Sequence, residues 1–121
     1  MLSSIVDSFE KLTSVQSYSF RELPDDVSAI KLQFGTFTCV FKVVEDTDEV
    51  EILNDVDLSE FVINKDENVF SRCLGLKLCW AWEMRNNQGY FDSVRLEFEN
   101  EQIVEIVVAA SSFRQYLVNE L

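Results

Sequence analysis

Hydrophobic and polar positions alternate with period two over most of this chain, and the alternation gives way near the N-terminus and again between residues 54 and 73. In residues 3 to 12, Ile5, Phe9 and Leu12 recur at helical spacing with Asp7 and Glu10 between them. Ser3 or Ser4 can cap the first turn, so the pattern predicts a short amphipathic helix. Tyr18 and Phe20 then alternate with Ser17, Ser19 and Arg21 as in a half-buried strand, which the Leu23-Pro24-Asp25-Asp26 turn ends. Ile30, Leu32 and Phe34 before Gly35-Thr36, and Phe37, Cys39, Phe41 and Val43 after it, predict a hairpin. Residues 45 to 49 form the next turn, and a short strand follows over residues 50 to 53.

Residues 54 to 73 read as an excursion from the sheet, with Phe61, Val62 and Ile63 as an apolar anchor and residues 68 to 73 as a helical turn. Period two then returns. Leu76, Leu78, Trp80, Trp82 and Met84 share one face of a strand, residues 86 to 89 turn the chain, and Tyr90, Asp92, Val94, Leu96 and Phe98 line one face of the returning strand. Residues 103 to 110 are apolar at nearly every position except Glu105, the pattern of a central strand covered on both faces. Residues 111 to 121 fit a closing helix or an edge strand equally. Together these elements predict a single α+β domain over residues 1 to 121: an N-terminal helix packed on a curved, mostly antiparallel sheet of about six strands.

Composition narrows the class. Hydrophobic content of 47% with ten Phe, three Gly and one Pro describes a well-packed chain and excludes disorder. The first residues carry no basic leader, and no run approaches the roughly 18 apolar residues of a membrane span, so a cytoplasmic protein is expected. Cys39, Cys73 and Cys79 are odd in number and lack metal or redox spacing, which predicts reduced packing residues. The formal charge of −12 disfavours nucleic acid and anionic membrane and favours basic protein surfaces.

The absence of His removes the usual general base and the commonest metal ligand. The three glycines are isolated, so no phosphate-cradling loop exists. Paired carboxylates at Glu83 and Asp92 would serve hydrolysis only if the hairpin register let them face each other. Asp46-Thr47-Asp48 opens like a calcium loop, but Glu51 replaces the required glycine and Asp57 the bidentate Glu. No enzyme activity, metal or cofactor is therefore expected.

Charge, in contrast, is segregated. Residues 45 to 67 hold Glu45, Asp46, Asp48, Glu49, Glu51, Asp55, Asp57, Glu60, Asp66 and Glu67 against the single base Lys65, a local charge of −9 out of −12. This segment reads as a docking face for a basic partner, with Phe61 or the 86 to 92 hairpin, through Asn87 and Asp92, supplying anchors. Trp80, Trp82 and Tyr90 read as sheet core, in register with Leu76, Leu78, Val94 and Leu96.

The Trp80-Ala81-Trp82 run, followed by Asn87-Gln88-Gly89-Tyr90, Asp92, Val94, Leu96 and Phe98, resembles the C-terminal half of a family of short bacterial proteins of unknown function. In size, charge and lack of catalytic residues the chain is also similar to the immunity proteins of bacterial toxin systems. That resemblance implies an inhibitor that binds a toxin domain, for example a nuclease, one-to-one at its basic site. Two other expectations share the same residues: a phage-type inhibitor or nucleic-acid mimic acting on a CRISPR or other host enzyme, and a homodimer paired through the sheet edge near residues 113 to 118.

Overall fold

The chain forms two antiparallel sheets rather than the single six-stranded one that periodicity predicts, as seen in a computed structural model that describes residues 1–118. The N-terminal helix α1 spans Leu2–Ser8. It is followed by β1 (Leu12–Ser19), β2 (Ala29–Phe34), β3 (Phe37–Val44), β4 (Glu49–Leu53) and β5 (Val62–Asn64), which make a sheet in the order β4-β3-β2-β1-β5. A 3-10 turn over Val69–Cys73 leads to β6 (Leu78–Arg85), β7 (Phe91–Phe98), β8 (Ile103–Ala109) and β9 (Ser112–Leu117), a four-stranded meander. Period two marks strands but does not say which of them pair, so the pattern alone does not separate two sheets from one.

Helix α1 is shorter than its sequence pattern. Phe9 adopts a left-handed conformation (φ 59°) and its N–H donates to the Val6 carbonyl, closing the helix. Phe9 is thereby turned out to solvent and Leu12 begins β1, so of the three apolar positions only Ile5 packs from the helix. Met1 occupies the N-cap position and neither Ser3 nor Ser4 caps it. The β2–β3 turn needs Gly35, whose φ is +55° and where a side chain would also run into the Glu10 carboxylate.

One core lies between the sheets. Leu32, Phe34 and Phe41 from the first meet Leu96, Phe98 and Ile106 from the second, closed by Ile5 and Phe70. Phe98 sits among aromatic rings, stacked on Phe34 at 6.1 Å and edge-on to Phe70 at 6.3 Å. Backbone bonds tie the sheets together: Leu12 N–H to the Leu76 carbonyl (2.9 Å), Gly75 N–H to Leu12 (2.8 Å) and Phe113 N–H to Val27 (2.7 Å).

A second, smaller core covers the outer face of the five-stranded sheet. Val56, Leu58 and Phe61 from the 54 to 61 excursion pack on Tyr18, Ala29, Val40 and Leu53. This inverts the expected facing of β1. Because Tyr18 joins the outer cluster, Ser17 and Ser19 turn inward and are buried, where Asn68 donates to the Ser17 hydroxyl and Asn64 to that of Ser19 (3.0 Å). The Asn68 carboxamide oxygen also accepts the Phe70 N–H (2.8 Å), capping the 3-10 turn. Strand β8 lies between β7 and β9 as its apolar composition predicts, yet only alternate residues are buried, because among the described residues no helix or strand is layered on the outer face of its sheet. Residues 112–117 form a strand; residues 119–121 lie outside the described residues.

Cys39 and Cys73 are buried, and desolvation pushes their thiols up to about 12 and about 11, whereas Cys79 is half-buried. Since the thiolate is the reactive form, native protein at pH 8 should expose one fast-reacting thiol to an aromatic disulfide reagent, and denatured protein three. Rapid modification of all three in the native state would contradict this packing.

Candidate protein-binding surface

The order of the first sheet explains how the acidic segment is laid out. Strands β4 and β5 are its two edges, so the chain joining them crosses four strand spacings, about 19 Å, over the outer face. Val56, Leu58 and Phe61 hold it down while the acids between them point to water. Glu45, Asp46, Glu51, Asp55, Asp57, Glu60, Asp66 and Glu67 are all exposed. The Ser59 backbone N–H, donated to the Asp57 carboxylate at 2.9 Å, holds that group below the usual carboxylate range.

Two acids do something else. Asp48 accepts the Ser111 N–H at 3.0 Å and Glu49 accepts the Phe91 N–H at 3.0 Å, so both carboxylates bridge the β3–β4 turn to the second sheet. They are half-buried and act as joints of the fold. The same contacts bring the β3–β4 turn against the turn end of the β6–β7 hairpin and the β8–β9 turn, so two parts of the predicted site that are far apart in sequence meet. At the hairpin, Asn87 is exposed and Asp92 accepts a bond from the Asn86 amide at 3.2 Å.

Counting charges along the segment overstates the field over it, because cations arrive from neighbouring strands. Lys31 pairs with Asp55 at 3.4 Å, Lys42 stands opposite Glu51 in the β3–β4 register, and Arg21 donates to the Ser59 carbonyl. An open groove of about 510 Å³ runs between Glu45 and Glu60, with Arg21 and Lys42 also in its wall. Phe61, expected to be available as an anchor, is half-buried and stacks on Phe20 at 5.2 Å, whereas Ile63 beside it is exposed.

The feature that sequence reading misplaced is the tryptophan strand. A bulge at Cys79 interrupts β6, since Leu78 pairs with Phe98 but Trp80 with Glu97. The extra residue swaps the faces. Leu78 points into the core, and Trp80 and Trp82 point outward with exposures of 64% and 42%. Tyr90 is exposed as well, so this cluster is surface and not core. No local signal marks the bulge; a pattern that keeps strict alternation through Leu76, Leu78 and Trp80 hides it.

The paired carboxylates considered for hydrolysis do not meet. Glu83 lies opposite Val94, and a second irregularity between Met84 and Arg85 moves Asp92 out of step. Among the described residues no group of three or more His, Cys, Asp or Glu could hold a metal ion. No helix among the described residues is long and apolar enough to cross a membrane. Strand β9 is an edge, as a pairing surface requires, although Phe113 already donates to Val27 of the same chain.

No curated protein and no solved structure matches the chain. A family model does match, over nearly the whole length rather than the forty residues that carry the resemblance noted above. The chain belongs, through residues 2–121, to a family of unknown function, DUF6334.

Proposed function

We propose that this protein is a stoichiometric inhibitor of the immunity type, which covers the basic site of a cognate bacterial toxin, for example a nuclease, with the acidic band of residues 45 to 67. The observation that carries the reading is the band itself. Of the eight exposed carboxylates, Asp55, Asp57 and Glu60 ride on a stretch fixed by its own small core, and the other five flank it on the β3–β4 hairpin and just after β5, so they are presented on folded chain and not on a free tail. A preorganised charged surface loses little entropy on docking and steers a basic partner toward it. A nuclease site is basic because it binds phosphates, and a carboxylate array is its electrostatic complement.

Affinity capture from the source cell, washed with rising salt, tests the reading. A basic protein retained one-to-one and released at high salt is the expected result. Recovery of no basic protein at low ionic strength would overturn it.

A further inference from the structure

The outer face of the four-stranded sheet carries one arginine sandwiched between a tryptophan and a glutamate and, in the row beside it, a tryptophan whose direct cross-strand neighbour is a glutamate. In the first row, Trp82 of β6, Arg95 of β7 and Glu105 of β8 are direct cross-strand neighbours. The Arg95 guanidinium lies over the Trp82 ring at 5.3 Å and pairs with Glu105 at 3.6 Å. Ring quadrupole and carboxylate thus hold one cation from two sides.

The adjacent row repeats the aromatic ring and the acid. Trp80 stands directly opposite Glu97, and the residue following in the row is Ile103. The Glu97 carboxylate makes no hydrogen bond or ion pair among the described residues, and Trp80 is more exposed than Trp82, whose ring Arg95 partly covers. On its other side Trp80 borders an open cleft of about 300 Å³ between α1 and β6 whose wall includes Asp7 and Glu83 but no base.

We propose that Trp80 and Glu97 form an acceptor site for one arginine side chain of a basic protein partner, stacked on the indole and paired with the carboxylate as Arg95 is next door. Charge complementarity selects the occupant: Asp7, Glu83 and Glu97 border Trp80 in a chain of net charge −12, and Arg95, the base in the adjacent row, is already held between Trp82 and Glu105. A planar guanidinium suits the pair better than an ammonium because it stacks and bonds at once. This inference rests on the proposed basic partner and assigns it a second contact, on the other sheet from the acidic band.

The two tryptophans give two indole N–H signals in a nitrogen–proton spectrum, assignable with Trp80→Phe and Trp82→Phe variants. Titration with acetyl-Gly-Arg-Gly-amide should move the Trp80 signal saturably and leave that of Trp82 nearly still. The citrulline analogue, which has the same shape without the charge, should bind at least tenfold more weakly, and Glu97→Gln should weaken the arginine peptide about five- to tenfold. Equal shifts with arginine and citrulline, or an unchanged titration in Glu97→Gln, would overturn the proposal. Trp80→Ala then enters the capture experiment. If it retains the basic partner as tightly as the native protein does, the arginine site fails while the acidic-band reading stands. If the native protein captures no basic protein but the indole titration behaves as described, the reading fails and the site stands.

Discussion

Replacing Phe98 with alanine should cost about 3–5 kcal/mol of stability, the largest effect of any single truncation in this fold. The residue is 2% exposed, ends β7, and touches two other aromatic rings of the main core, Phe34 from the opposite sheet and Phe70 from the 3-10 turn. Its removal leaves a cavity where three elements meet, and none of them can collapse into it without breaking ladder bonds. A domain of this size has about 5–15 kcal/mol in hand, so the variant should remain folded in buffer but unfold at much lower urea. With a urea slope of about 1–3 kcal/mol/M, the midpoint should fall by about 2 M while the slope stays the same. A loss below about 1 kcal/mol would mean that the sheets do not share this core.

The contrast between Phe98 and Trp80 shows what the pattern of the chain could and could not reveal. Both sit in strands with clean period-two alternation, and both are large aromatic residues that such a pattern assigns to the interior. For Phe98 the assignment holds, because β7 runs without interruption from Ser93 to Glu97 against β8. For Trp80 it fails, because one extra residue at Cys79 reverses every side chain after it. Alternation is a local signal, and a bulge is a mismatch between two strands.

The same distinction runs through the acidic segment. Its exposure was legible, since ten carboxylates in 23 residues must reach water unless paired. Its shape was not. That Val56, Leu58 and Phe61 close over Tyr18 and Val40 depends on a strand order with β4 and β5 at opposite edges, and no stretch of sequence contains that order. Nor could charge counting separate Asp48 and Glu49, which join the two sheets, from Asp46 and Glu51, which do not. Ser17 and Ser19 were legible as polar but not as buried, because their partners Asn64 and Asn68 lie about 50 residues downstream.

Those distinctions choose the variant that tests the central claim. Asp46, Glu51, Glu60 and Glu67 are exposed and their carboxylates make no hydrogen bond or ion pair among the described residues, so converting all four to lysine leaves the joints at Asp48 and Glu49 intact. The change takes the net charge from −12 to −4. Electrostatic steering acts on encounter, so the effect belongs in the association rate and not in dissociation. The direct measurement is the rate of association with the captured partner by stopped flow, across a salt series, for the native protein and the fourfold variant. At low salt the variant should associate at least about tenfold more slowly, with a markedly flatter dependence on ionic strength, while its circular dichroism stays native. Equal rates and equal salt slopes for the two folded proteins would contradict the claim that the acidic band is the docking face.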